Sequence, residues 1–134
     1  MIKPKVLLTV MSLLSILLVS IHVTDDIVRG YEKWGFEKLS FVLILVVWLS
    51  GTLLLAERRS GHVIMLLGGL LAAIMPAAHM RGTGAFVKSS GAFFFIWTLF
   101  ALGATGTLSV ILAARGLRRP NIMIPADENP DRRG

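Results

Sequence analysis

Cysteine is absent from the chain, which excludes a disulfide framework, a thiolate metal site and a thiol redox pair. Four-helix thiol oxidoreductases of membranes are ruled out on the same ground, and thiol usage says nothing of the compartment. Charge is scarce too. Only 16% of the 134 residues are charged, where a soluble domain carries about 25%. Ionisable groups are also missing from the interiors of the apolar runs, which offer only Ser, Thr, Gly and Trp48. Proton-coupled transporters and channels place such a group within a span, and small transporters built on a membrane-buried glutamate in the first helix have no counterpart here before Asp25. Enzyme signatures are missing as well: no nucleophile elbow, no HExxH, no multi-histidine box. Ser12, Ser15 and Ser20 lie along an apolar helix with no base nearby.

What the chain has in abundance is apolar surface. Its hydrophobic share is 54% without counting Gly, and its mean hydropathy is +0.73. Four spans of about 20 residues would use most of this length and leave no separate catalytic domain. The expected class is therefore an all-α integral membrane protein, a four-transmembrane-helix bundle in up-down-up-down order. Its spans fall at about 5–29, 39–56, 62–79 and 92–114, in one domain over 1–119. A positive start before an apolar run also resembles a secretory signal, but the run from Val6 to Val23 exceeds a usual signal core, and Leu18/Ser20 is a poor cleavage site. An uncleaved helix is expected.

Punctuation along the chain agrees. Gly30 suits a helix C-cap, Ser40 a helix start, and Pro120 stops the last helix, while Pro76 lies inside the third. The segment 120–134 reads as a polar, unstructured cytoplasmic tail. The net charge of +6 does not point to nucleic acid, because the basic residues cluster beside apolar runs. They read as topology signals. Lys3, Lys5, Arg58, Arg59, Arg115, Arg118 and Arg119 collect on one side, against Arg29, Lys33, Lys38, Arg81 and Lys88 on the other. The first side, with both termini, is expected in the cytoplasm of a plasma (inner) membrane.

Candidate chemistry gathers at the outer end. His22, Asp25, Asp26 and Arg29 follow the spacing i, i+3, i+4, i+7 and share a helix face. On the third helix His79 lies on a stripe with Gly68, Ala72, Met75 and Pro76, and Arg81 follows. Both histidines lie roughly 26 Å along their helices from Lys5 and His62 respectively, at about 1.5 Å per residue. Three readings follow. The plainest, ranked first, pairs Asp25 and Asp26 with Arg29 and Arg81, with the histidines as anchors near the headgroups. The second is a divalent metal held by His22, Asp25, Asp26 and His79. The third is a haem with His22 and His79 as axial ligands.

Aromatic residues are unevenly spread. Tyr31, Trp34, Phe36, Phe41, Phe86, Phe93, Phe94, Phe95, Trp97 and Phe100 fall in the outer half, leaving Trp48 elsewhere. An interfacial belt is the first explanation. A pocket for a quinone, pigment or lipid is the other, with Trp34 and Trp97 beside His22 and His79. At the cytoplasmic end Glu57 and Arg58 read as interfacial ion-pair or partner residues. Small residues on the third helix, Gly68, Gly69, Ala72 and Ala73, and on the fourth, Gly103, Ala104 and Gly106, mark each of these helices for close packing against a neighbour. The functional expectation is a non-enzymatic membrane subunit or binding module. Its partners would be lipids and another membrane protein or a second copy, with an oligomeric transporter or channel as runner-up and a metal- or haem-dependent redox protein third.

Overall fold

The computed structural model describes residues 3–28, 35–80 and 92–118. Four helices fill them: α1 (Pro4–Val28), α2 (Phe36–Leu53), α3 (Arg59–Met80) and α4 (Ala92–Arg118), with no strand among the described residues. Three are long and apolar enough to cross a membrane, over Pro4–Val28, Arg59–His79 and Phe93–Arg118. In α2 the comparable stretch, Leu39–Leu53, is shorter. Arg29, Trp34, Arg81, the expected cap Gly30 and the segment 120–134 lie outside the described residues.

Boundaries differ from expectation at four points, each with a local cause. α3 starts at Arg59 and not at His62, because the His62 N–H already donates to Arg58 O (3.2 Å) as the first helical bond. Ser40 is not a cap: α2 starts earlier, from an extended Gly35 (φ −157°, ψ −179°) that makes no side-chain capping bond. The apolar run starts at Leu39, but the preceding residues tolerate helix equally well, so periodicity placed the start too late. At its other end α2 stops at Leu53. The next residues turn, with Leu54 N–H donating to Ser50 O (2.8 Å) and Arg58 N–H to Leu55 O (2.9 Å). Finally, α4 continues past Ala114 to Arg118, where Arg115 and Arg118 in the last turn suit the negative end of the helix dipole.

The face that α1 turns inward is Leu8, Ser12, Ser15, Val19, His22 and Asp26. Those positions alternate by four and three residues, the seam of a helix that packs along its length as in a coiled coil. Two apolar clusters close on it: Val19, Trp48, Ala72 and Leu102 at mid-length, and Leu8, Met65 and Ala113 nearer one end. The closest approach is between α3 and α4. A Cβ on Gly106 would lie 2.7 Å from Ala73 N and 2.8 Å from Gly69 O, so only hydrogen lets the backbones meet.

Outward faces stay apolar. Leu17, Leu43, Leu67, Ile74 and Phe100 are all exposed. In water this would be a greasy surface far beyond what a soluble monomer shows, whereas acyl chains solvate it at no cost.

Candidate functional site

One end of the bundle is held by Lys5 of α1, whose ammonium donates to the Glu57 carboxylate in the turn before α3. The hydrogen bond from Lys5, and then its charge, hold the Glu57 carboxyl below its usual value. Arg58 is exposed, and its carbonyl accepts both the backbone N–H of His62 (3.2 Å) and the His62 Nδ1–H (3.0 Å).

Further along, a ring of hydrogen bonds joins α1 to α2. Trp48 Nε1–H donates to Ser12 Oγ (2.9 Å), Ser12 Oγ lies 2.8 Å from Thr52 Oγ1, and the Thr52 hydroxyl donates to Trp48 O (2.9 Å). With Ser12 accepting from the indole and Thr52 donating to the carbonyl, the remaining hydroxyl proton runs from Ser12 to Thr52. Every donor in the ring is used. Ser15 Oγ reaches Thr105 Oγ1 of α4 at 3.0 Å. These contacts satisfy polar groups that would otherwise be costly in an apolar interior. Sequence reasoning saw isolated serines here. The four-three alternation of α1 carried the missing signal, since Ser12 and Ser15 fall on the same stripe as His22.

At the other end α1, α3 and α4 converge. His22 is 1% exposed and Asp26 7%. His22 Nε2 lies 3.5 Å from His79 Nε2 and 3.7 Å from Asp26 Oδ2, and His79 Nε2 lies 3.9 Å from the same carboxylate oxygen. Phe95 of α4 covers both imidazoles, its ring centroid 4.8 Å from that of His22 and 6.0 Å from that of His79. The His79 Nδ1–H donates to Met75 O (3.1 Å), so neutral His79 keeps its Nε2 lone pair facing His22 and Asp26. His22 Nδ1 is buried with no hydrogen-bond partner among the described residues.

The expected site residues divide accordingly. The structure gathers His22, Asp26 and His79. Asp25 is turned aside, lining a shallow apolar groove with Ser20, Ile21, Thr24, Val28 and Phe94. The inward stripe of α1 runs through position 26, and Asp25, one residue earlier, falls at its edge. Trp97 is 57% exposed and faces outward, as do Phe93, Phe94 and Phe100. The aromatic side chain that reaches the histidines among the described residues is Phe95, which was indistinguishable from its neighbours in the run Phe93–Phe95. Nor do the imidazoles leave a slot for a planar macrocycle: they meet edge to face, at 79° and with centroids 4.9 Å apart. The arrangement suits a small ligand and does not suit a haem clamped between the two rings.

Comparison with family models, curated proteins and solved structures gave no match to this chain. The functional reading therefore rests on the site itself.

Proposed function

We propose that this chain is a small polytopic membrane protein acting as a non-enzymatic binding module, with its ligand held at the end of the bundle formed by His22, Asp26, His79 and Phe95. In this reading α2 is a fourth span, the helices run up-down-up-down, and both termini are cytoplasmic in a plasma membrane. The site then faces the outer side. The supporting observation is the convergence, from α1 and α3, of the buried His22 imidazole and Asp26 carboxylate with the partly buried His79 imidazole. Ionisable groups buried in a membrane bundle cost free energy, and where retained they mark a site of function. The mutual distances of 3.5–3.9 Å exceed the roughly 2.7–3.2 Å of good hydrogen bonds and leave room for a small ligand between the three groups.

A conducting monomer is disfavoured by the core. Between the Ser12 ring and His22 the interior is filled by Val19, Trp48, Ala72 and Leu102, each at most 2% exposed. A polar path along α1 is interrupted there. The runner-up, a transporter or channel, would need a pore between copies rather than through one.

Native mass spectrometry of the full chain released from mild detergent tests the proposal. Wild type is expected to carry a bound mass that Asp26→Asn and His79→Ala lose, and liposomes holding the protein are expected to pass no ions. A bare wild-type chain, or a bound mass indifferent to both substitutions, would overturn it. Ion flux through liposomes would favour the runner-up.

A further inference from the structure

Two imidazole nitrogens and one carboxylate oxygen, each from a buried or partly buried side chain, lie within 4.8 Å of one another. The separations are 3.5, 3.7 and 3.9 Å. In the plane of that triangle the point equidistant from its corners is about 2.1 Å from each, the circumradius being the product of the sides over four times the area. A tetrahedral ion standing out of the plane is about 2.3 Å from each, so closure by a few tenths of an ångström brings the donors to bonding distance. Zinc binds imidazole nitrogen at about 2.0–2.1 Å and carboxylate oxygen at about 2.0–2.2 Å. A water at the same point would sit well inside hydrogen-bond distance of all three atoms.

We infer that His22 Nε2, His79 Nε2 and Asp26 Oδ2 form a divalent-cation site of the zinc class. This rests on the binding-module reading above and names the ligand of its site. The chemistry of the donors agrees with the distances. Neutral imidazoles and one carboxylate suit zinc and its borderline neighbours, whereas calcium takes six to eight oxygens at about 2.3–2.6 Å and magnesium keeps a shell of water and oxygen. The bond from His79 Nδ1–H to Met75 O fixes the ring and leaves Nε2 as the nitrogen that faces the site. Phe95 closes the site on the α4 side and lowers its dielectric, and three protein ligands leave one position of a tetrahedral ion for water or an incoming donor.

The test uses the full chain in mild detergent, stripped with a chelator, incubated with zinc, desalted and measured by elemental analysis. Wild type is expected to retain one zinc per chain, and Asp25→Asn and His62→Ala to retain it equally, since neither side chain belongs to the triangle. Asp26→Asn and His79→Ala are expected to lose it with helicity and elution volume unchanged. His79 is the less buried histidine, so its truncation is the safer variant; a tetrahedral cobalt absorption band in wild type supplies a readout that needs no variant. Folded wild type without zinc, or zinc indifferent to Asp26→Asn and His79→Ala, would overturn the site. If zinc is absent while native mass spectrometry still shows an organic or protein mass released by Asp26→Asn, the metal fails and the binding module stands. A bare chain in both experiments removes both.

Discussion

Gly68→Ala is the substitution whose cost the structure makes easiest to work out. A Cβ at this position would lie 2.2 Å from Trp48 Cε2, 2.3 Å from Cδ2 and 2.5 Å from Nε1. Ordinary carbon contact is about 3.5–4.0 Å, so the indole must retreat by roughly 1 Å or more. It has nowhere to go: Trp48 is 2% exposed and its N–H is committed to Ser12. Overpacking of this kind costs about 1–3 kcal/mol. Weakening the Trp48–Ser12 bond adds about 0.6 kcal/mol, with a measured ceiling of about 1.7, for an interhelical bond in a membrane protein. Alanine returns about 1 kcal/mol through its better helix propensity. The net expectation is a loss of about 0.6–2.6 kcal/mol, small enough to leave a folded fraction and large enough to read. SDS-driven unfolding from mild detergent, followed by Trp48 fluorescence with Trp34 and Trp97 replaced by Phe, would measure it. Gly35→Ala, with nothing within 4 Å of its Cβ, is the control without a clash, expected to cost only the few tenths of a kcal/mol by which Gly outranks Ala at an N-cap. Stability unchanged or raised in Gly68→Ala would refute the packing of Trp48 on α3.

Other perturbations follow the same logic. Ser12→Ala breaks the ring with Trp48 and Thr52 and is expected to cost on the order of 1 kcal/mol in the same assay, while Ser20→Ala, which loses a bond to Ile16 O of its own helix, should cost less. Gly106→Leu places a side chain where α3 backbone already stands, so it is expected to part α3 from α4 and abolish the folded species on size exclusion. For Glu57→Gln the sign follows from the depressed carboxyl: the stability lent by Lys5 is present above the unfolded pKa and disappears as pH falls through the folded one. The difference between wild type and variant should be largest at neutral pH and low salt, close in acid, and shrink with salt because both groups are exposed.

The helices were legible because their cause is local. Apolar runs bounded by Lys, Arg, Gly and Pro mark α1, α3 and α4 to within a few residues, and Pro76 inside α3 meets a place shaped for it beside Gly103. Helix starts were harder: Gly35, not Ser40, begins α2, since an unsatisfied first turn leaves little trace in sequence. At the site, His22 and His79 could be named from stripe and depth. Choosing Asp26 over Asp25 required carrying the four-three alternation of α1 through the polar end of the helix, where i+3 and i+4 both fit a helical face. Choosing Phe95 from three consecutive phenylalanines required the rotation of α4, which depends on packing with α3 and on no local signal. The Ser12–Trp48–Thr52 ring is a tertiary contact between residues far apart in the chain, and composition alone reads such groups as filler.

X-ray absorption at the zinc edge of the loaded, desalted full chain tests the central claim most directly, because it reads ligand type and distance together. The expected spectrum shows imidazole scattering from two histidines and a mixed nitrogen and oxygen shell at about 2.0–2.2 Å. His79→Ala, treated identically, should retain no zinc edge after desalting. A shell of oxygen alone, or a chain that holds no zinc to measure, would contradict the assignment of His22, Asp26 and His79 as one site.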